Sequence, residues 1–503
     1  MDKGIVIPVS PALKKKGPVA KGLLRSFFLK DKLNSPLGYI LLFIFSAFIA
    51  VGIARFGVIF GALVLVAFIA IPAVYTVVIH PNVGIVLFLL MAWFIMFFLR
   101  LGVNFPLGTL MDAMEGLFIL GLFIQQKRAR DWKIFKGSIS TMILIWMAYN
   151  FIEIANPSAE SRLAWVYTVR SVAVVMVMYF IFLYNIRTKA FIKFILKLWL
   201  ALAFFAALYA FKQQYIGFFG FEEEYLHSDP NIELLLFIGG TWRKFSIFSD
   251  PVVFSYSMVA SSLLCIGLLT GPVSRFKKII LLSLICFFVG GMLFSGTRGA
   301  FVLIPSAMLL FAILKYNKKM MMMLCAAAVL LVVLIYIPTS NQTLYRFQTA
   351  FKPSDDASFN VRKMNQKRIQ PYILSHPLGG GLGATGEWGK RFAPNSYLAN
   401  FPPDSGYVRV AVEMGWVGLF ILCALMFIIL KTGINNYYRI RDPELKSYCL
   451  SMVLIVFALH IGNYPQEALV QYPSNVYFYL VTALIVVLMR IDNEQTPLPY
   501  AER

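Results

Sequence analysis

The chain has 503 residues, of which 59% are hydrophobic and only 14% are charged. Soluble domains carry about 25% charged residues, so this chain has too few to cover a water-facing surface of its size. Its net charge of +22 would suggest nucleic-acid binding in a soluble protein. Much of that charge falls in short loops between apolar runs, where it sets membrane orientation instead. The sequence therefore predicts an all-α integral membrane protein with no nucleic-acid partner.

The first residues form a basic arm. Lysine and arginine recur before the first apolar run, among them Lys14, Lys15, Lys16, Lys21, Arg25, Lys30 and Lys32. No small-residue cleavage site follows, so the arm does not resemble a cleavable signal peptide. Residues 1–37 are therefore predicted to stay in the cytoplasm and to contact anionic lipid headgroups.

Long apolar runs then follow one another along the chain. Because about 20 apolar residues span a bilayer, the runs predict fourteen transmembrane helices, centred near residues 46, 68, 92, 115, 145, 175, 204, 260, 287, 307, 329, 418, 455 and 481. Basic residues concentrate in alternate loops, at 126–137, 186–194, 271–278, 315–319 and 431–446. Since cytoplasmic loops carry the excess of lysine and arginine, this alternation predicts that both termini are cytoplasmic.

The predicted organisation continues beyond the arm. Residues 38–338 hold helices 1–11 with an external loop at 217–250, residues 339–405 form a large external loop, residues 406–490 hold helices 12–14, and residues 491–503 form a cytoplasmic tail. The large loop is too long for a simple connector and is expected to be partly helical. Its basic residues are Arg346, Lys352, Arg362, Lys363, Lys367, Arg368, Lys390 and Arg391. Such a cluster outside the membrane suits an anionic pyrophosphate, although long loops also escape the orientation rule.

Three predicted external elements combine unusual residues. SGTRG at 295–299 places Arg298 between small residues at the end of a helix, where snorkelling to headgroups is the plain alternative. HPLGGGLG at 376–383 ends the stretch that begins at Arg362, and its proline and glycines allow tight turns. PPDSGY leads into a further helix, which Asp404 or Ser405 could simply cap.

Charged residues continue into that helix. Arg409 and Glu413 lie four residues apart and could form an ion pair, but charges at a membrane edge are costly unless they face a polar cavity. The four histidines are not spaced as zinc ligands, and no phosphate-binding loop motif is present. The sequence therefore predicts no metal and no cofactor.

The order of these elements resembles the bacterial O-antigen polymerase and ligase family. Members share a small-Ser/Thr-Arg-Gly element, then a periplasmic loop with an Arg-led helix and a Pro-Leu-Gly turn, then a Leu-x-Glu-x-Gly helix. This sequence reads SGTRG, then HPLGGGLG, then DSGYVRVAVEMGWVG. TWRKFSIFSDPVVFS, which contains Arg243, resembles a further element. The resemblance covers about residues 240–430, and the N-terminal half matches in hydropathy alone.

The resemblance implies a GT-C-like glycosyltransferase that moves a glycan from undecaprenyl pyrophosphate at the outer face of the bacterial cytoplasmic membrane. Arg298 and Arg362 would bind the pyrophosphate leaving group, because guanidinium pairs with phosphate oxygens. Asp404 stands where the ligases have histidine and would act as the general base. Substrate contacts are implied at Arg243, Arg368, His376, Tyr407, Arg409 and Glu413.

The replacement of histidine by Asp404 favours a polymerase of O-antigen, capsule or exopolysaccharide repeat units over an O-antigen ligase. The implied partners are the carrier-linked donor and acceptor, the lipid bilayer, a chain-length regulator and a flippase. A lipid-linked oligosaccharide transporter is an alternative from another class, favoured by Asp112 and Glu115 within an apolar run. A non-catalytic assembly scaffold is a further alternative, but it leaves the external arginines unexplained.

Overall fold

A computed structural model describes residues 35–102, 107–129, 132–238, 240–340, 342–352 and 357–495. The predicted basic arm therefore lies outside the described residues up to residue 34, and the predicted tail lies outside them from residue 496. Within the described residues the chain is almost entirely helical, which confirms the predicted all-α membrane class.

The N-terminal half consists of helices and one short β-ribbon. The helices are α1 (Pro36–Phe56), α2 (Val58–Ile79), α3 (Pro81–Arg100), α4 (Leu107–Ala129), α5 (Ser138–Ile152), α6 (Arg162–Val169), α7 (Val177–Asn185), α8 (Lys189–Tyr215), α9 (Gly220–Leu226) and α10 (Pro230–Leu236). A π-helical turn, Arg170–Val174, lies between α6 and α7. Strands β1 (Phe237–Ile238) and β2 (Thr241–Trp242) pair antiparallel, with Phe237 opposite Trp242.

The C-terminal half is helical in its described residues. The helices are α11 (Pro251–Leu268), α12 (Arg275–Phe294), α13 (Arg298–Phe301), α14 (Leu303–Leu314), α15 (Lys318–Tyr336), α16 (Gln342–Thr349), α17 (Ala357–Ser375), α18 (Gly386–Phe392), α19 (Gly406–Arg439), α20 (Pro443–Gly462) and α21 (Ser474–Gln495). Helices α16, α17 and α18 fall in the large loop that was expected to be partly helical.

Eleven helices among the described residues are long and apolar enough to cross a membrane. All the predicted centres lie in helices except the one near residue 175, which lies beside the π-helical turn in the apolar span Arg162–Asn185. The apolar runs are helical because lipid gives a spanning backbone no outside partner for its polar groups. The total of fourteen spans and their orientation stay predictions.

Aspartate residues are the N-caps of two central helices. Asp250 accepts hydrogen bonds from the amides of Val252 and Val253 at 2.7 and 3.0 Å, and Pro251 takes the first position of α11. Asp442 caps α20 in the same way. Such caps pair amides that the start of a helix leaves open, and each contributes about 1 kcal/mol.

Small residues allow α11 and α20 to approach closely. A methyl group at Gly267 would collide with Ser451, and one at Gly271 would lie 2.7 Å from the Ser447 hydroxyl. The Ser451 hydroxyl donates to the Leu264 carbonyl at 3.1 Å. Small residues and interhelical hydrogen bonds are the usual means by which membrane helices associate, since lipid supplies no hydrophobic force between them.

The chain divides into two compact units, Met1–Tyr75 and Thr76–Arg503. In the first unit, phenylalanine rings pack edge to face, as Phe45 and Phe68 do with centroids 5.8 Å apart. In the second unit, the buried core runs through α7, α11, α20 and α21.

Ion pairs join the loops at one end of the second unit. Lys189 Nζ lies 2.6 Å from Asp442 and 3.0 Å from Glu444, and Lys193 Nζ lies 2.8 Å from Glu444. Arg490 donates to two backbone carbonyls at the end of α7. We call this the basic-loop end. Helix α8 begins there and α19 finishes there, so the segment after α8 and the start of α19 lie at the opposite end.

Candidate active site

At that opposite end, Arg243 is anchored to the SGTRG turn. Its Nε donates to the Ser295 carbonyl at 2.9 Å, and Nη2 donates to the Thr297 hydroxyl at 3.0 Å. Nη1 donates to the Leu235 carbonyl at 3.2 Å, and the residue is only 8% exposed. The segment that contains Arg243 and the SGTRG turn, which are far apart in the sequence, are therefore hydrogen-bonded to each other.

The same turn receives Arg346 from α16. Gly296 has a φ of 60°, and a methyl group there would lie 2.5 Å from Arg346 Nη1. Phe347 packs against Phe301 with ring centroids 5.6 Å apart, which holds α16 beside the turn. Glycine at 296 is thus required by the backbone conformation and by the close approach of a guanidinium.

Arg243, Arg298 and Arg346 lie within electrostatic reach of one another, and we call them the arginine cluster. Burial, together with the charges of Arg346 and Arg298, lowers the pKa of Arg243 to about 10, and Asp250 opposes this shift. Burial and then Arg298 also lower the pKa of Arg346. Because like charges repel at this range, the cluster would be stabilised by an anion that carries several negative charges.

A cavity of about 280 Å³ adjoins the arginine cluster. Its wall contains Arg243 and three carboxylates, those of Asp250, Asp404 and Glu467. Its volume is close to the lower limit for ligand pockets, about 300 Å³. The cavity therefore brings positive and negative side chains to one small space.

Asp404 lies in the cavity wall and also contacts helix α17. Burial raises the pKa of its carboxyl, while the Arg362 guanidinium and a hydrogen bond from Asn365 act in the opposite direction. Arg362 and Asn365 lie three residues apart and therefore share one face of α17. The structure thus places Arg243 and Asp404 in the wall of one cavity, with Arg298 close to Arg243 and Arg362 close to Asp404. The roles of these four residues stay predictions.

Glu467 was not singled out from the sequence. It lies between α20 and α21, where its Oε2 accepts a hydrogen bond from Arg409 Nη1 at 2.6 Å. Burial raises the pKa of Glu467, the negative charges of Glu413 and Asp404 add to this effect, and Arg409 opposes it. One signal was available, because Glu467 is the single charged residue of the segment 463–473 at a predicted membrane edge.

Glu413 joins this pair to the glycine-rich segment. Its carboxylate is 2% exposed and lies 3.2 Å from Arg409 Nε, the ion pair considered from the spacing. It also accepts hydrogen bonds from the amides of Gly383 and Thr385 at 3.1 and 3.2 Å, and from the Thr385 hydroxyl. Arg409 and Glu413 thus connect the external loop to Glu467.

The backbone of HPLGGGLG pairs with a break in α19 at Gly415, whose φ is 65°. The amides of Gly380 and Gly381 donate to carbonyls of α19, each at 2.8 Å. The Trp416 amide donates in return to the Pro377 carbonyl at 2.9 Å. Because these amides are bonded within the protein, the segment fastens the external loop to α19 and does not use them to bind phosphate.

Three other predicted contact residues lie outside the wall of this cavity. Arg368 is exposed on α17. His376 stacks on Tyr372 with ring centroids 4.0 Å apart. The Tyr407 hydroxyl forms a hydrogen bond of 2.6 Å with His460 Nδ1. Their contacts with substrate stay predictions.

Asp112 and Glu115, which favoured a transporter, have partners in the bundle. Asp112 Oδ2 lies 3.1 Å from Arg170 Nη1, at the π-helical turn. The Tyr472 hydroxyl donates to Glu115 Oε1 at 3.4 Å. Glu115 is buried, whereas Asp112 is partly exposed, and both have a protein partner, which is how charges within apolar helices are tolerated.

Residues 279–423 match the family model described as O-Antigen ligase. This match supports membership of the O-antigen polymerase and ligase family. It confirms the family predicted from the motifs, and it contains Arg298, Arg362 and Asp404 but not Arg243 or Glu467. The family implies a glycosyltransferase-like activity of the ligase or polymerase type on lipid-linked glycans, in a multi-pass membrane protein. A search of curated proteins finds no match.

Proposed function

We propose that the protein polymerises undecaprenyl-pyrophosphate-linked repeat units at the outer face of a bacterial cytoplasmic membrane. The arginine cluster carries this proposal, because three guanidiniums beside one cavity suit a pyrophosphate, which has paired oxygens and several negative charges. The basic-loop end lies at the other end of the helices, and the positive-inside bias would place that end in the cytoplasm.

The proposed reaction forms one bond and breaks another. A hydroxyl oxygen of the acceptor sugar attacks the anomeric carbon of the donor, while the bond from that carbon to the pyrophosphate oxygen breaks. The electron pair stays on the pyrophosphate, where the arginine cluster and Arg362 stabilise the new charge. A cavity carboxylate, assigned from the sequence as Asp404, takes the hydroxyl proton.

Stabilisation of the leaving group is expected to supply most of the catalysis. Preorganised positive charges cost no rearrangement during the reaction, and each such group contributes about 100-fold or more in rate. Since guanidiniums are permanently charged, we infer that the reaction needs no metal ion.

Ligation of the finished glycan to lipid A-core or another acceptor is the second candidate, because the matching family model is described as an O-antigen ligase. Asp404 in place of the ligases' histidine favours polymerisation. In either case a flippase would supply the carrier-linked glycan, and a chain-length regulator would act on the polymer.

The proposal is tested in a strain that lacks this protein. The strain is complemented with wild type, Arg298→Ala, Arg362→Ala, or the matched control Arg162→Ala, whose arginine is exposed on α6. Glycan length and carrier-linked intermediates are measured alongside the membrane level of each variant.

Accumulation of single repeat units, with long chains restored by wild type and Arg162→Ala alone, supports polymerisation. Long chains held on the carrier would instead identify a ligase. Normal glycan in both active-site variants would contradict the catalytic role and favour the transporter or scaffold.

A further inference from the structure

Two carboxylates from distant parts of the chain face the same cavity. Asp404 precedes α19 and Glu467 lies between α20 and α21, yet both stand in one wall with Arg243. We propose that Asp404 and Glu467 form the acceptor site, where they bind neighbouring hydroxyls of the acceptor sugar, and that Glu467, in place of the Asp404 assigned from the sequence, takes the reacting proton. This inference rests on the proposed glycosyl transfer and adds its acceptor-binding surface.

Glu467 is held in place by a chain of charged contacts. Arg409 Nη1 binds its Oε2 at 2.6 Å, and Arg409 Nε lies 3.2 Å from Glu413. Glu413 is fixed in turn by the amides of Gly383 and Thr385. Because Arg409 engages Oε2, Oε1 remains for a hydroxyl of the substrate. A carboxylate fixed before substrate binds can act without rearrangement.

Asp404 and Glu467 have different charged neighbours, and this difference suggests a different role for each. The charged form of Asp404 is stabilised by two side chains of α17, one of them the Arg362 guanidinium. Among the described residues, Glu467 has one cationic partner, Arg409, which it shares with Glu413, and both Glu413 and Asp404 add negative charge nearby. Negative neighbours raise the proton affinity of a carboxylate, which suits Glu467 to act as the general base. Asp404 therefore serves as a hydrogen-bond acceptor beside it.

The cavity wall carries charges of both signs, and this limits the chemistry of the acceptor. Arg243 and the rest of the arginine cluster attract the pyrophosphate of the donor. Asp404 and Glu467 accept hydrogen bonds from neutral hydroxyls and repel anions. The acceptor is therefore a sugar that presents neutral hydroxyl groups at the reacting position, with phosphate or carboxylate substituents placed elsewhere.

Proton transfer completes the reaction without another reactant. As the acceptor oxygen bonds to the anomeric carbon, its proton moves to Glu467 Oε1. The bond from the anomeric carbon to pyrophosphate breaks, and the leaving group carries away the electron pair. The proton on Glu467 is then lost to water before the next cycle.

The test uses the purified full-length protein in liposomes with carrier-linked single repeat units extracted from the deletion strain. The variants are Glu467→Gln, Glu467→Asp, Asp404→Asn and Arg298→Ala, with Glu233→Gln as the control because that carboxylate is 50% exposed. Glutamine can still accept the hydrogen bond from Arg409 but is a far weaker base. Turnover, thermal stability and inhibition by added undecaprenyl pyrophosphate are measured for each.

We expect Glu467→Gln to lower turnover about 100-fold or more, with partial recovery in Glu467→Asp. Inhibition by undecaprenyl pyrophosphate should be unchanged in Glu467→Gln and weakened in Arg298→Ala. Wild-type turnover in a folded Glu467→Gln overturns the acceptor site and leaves the proposed function standing. Wild-type turnover in Arg298→Ala as well would overturn both.

The dependence of turnover on pH tests whether Glu467 is the general base even if the Glu467→Gln protein is unstable. The charged neighbours of Glu467 are Arg409, Glu413 and Asp404, with Arg243 and Asp250 also in the cavity wall. Turnover should fall as pH falls through the raised pKa of Glu467, because the base must be deprotonated. Asp404→Asn removes one negative neighbour, so that pKa falls and the acid limb should move to lower pH. An unmoved acid limb overturns the assignment.

Discussion

The two ends of the second unit use basic residues in different ways. At the basic-loop end, two lysines of α8 lie within 3.0 Å of carboxylates at the start of α20. At the cavity end, Arg243 donates to two carbonyls and a hydroxyl, while the charges of Arg298 and Arg346 oppose its own. At the first end lysines are paired with carboxylates, and at the second end three arginines lie close to one another.

This contrast separates a structural use of charge from a functional one. Paired charges join loops, and because the two charges of a pair largely cancel, they attract a charged ligand only weakly. Concentrated like charges lower stability, so they are expected where an anion binds and relieves the repulsion. Arg409 is an instructive exception at the cavity end, because it is paired twice and holds Glu467 in position.

Removal of one cluster arginine should produce the largest effect. Arg346→Ala is expected to lower turnover about 100-fold or more, because it removes positive charge from the leaving-group site. Thermal stability should be equal or higher, since repulsion with Arg243 and Arg298 is reduced. Both quantities can be measured in liposomes beside Arg162→Ala. Wild-type turnover, or a large loss of stability, would mean that the cluster is structural.

Removal of a paired charge at the same end should act on stability first. Glu413→Ala leaves Arg409 with one carboxylate and the amides of Gly383 and Thr385 without their acceptor. Loss of one partner from a buried ion pair costs about 3–5 kcal/mol. The expected result is a clear drop in melting temperature relative to Glu233→Ala. An unchanged melting temperature would show that the network does not hold the external loop.

Removal of a paired charge at the basic-loop end should have the smallest effect. Lys189→Ala is expected to lower stability by about 1 kcal/mol or less, because partly exposed ion pairs are weak. Turnover should stay at the wild-type level, since the cavity lies at the other end of the helices. A strong loss of turnover in a folded Lys189→Ala protein would contradict the division of roles between the two ends.

Much of the fold followed from the sequence because the signals are local. An apolar run of about 20 residues is itself long enough to span a bilayer, and lipid permits a helix there. The SGTRG motif marked Arg298 within five consecutive residues. The resemblance added Arg243, Arg362 and Asp404; Arg243 and Asp404 line one cavity, and Arg362 lies close to Asp404.

Other parts of the site could not be predicted from the sequence, because they depend on contacts between residues that are far apart in the chain. Arg346 was one basic residue among several until its guanidinium was found against Gly296. Glu467 was a single carboxylate in a short loop. The glycine-rich segment left open whether it binds substrate, and its amides are instead bonded to α19.

The sequence by itself determined a helical membrane protein with an arginine motif of the O-antigen polymerase and ligase family. Only the tertiary structure decided that Arg243, Arg298 and Arg346 form one cluster and that Asp404 and Glu467 share one cavity. The physical reason is that hydropathy and motifs report how each segment meets its solvent, whereas contacts between distant segments depend on how all the helices pack together.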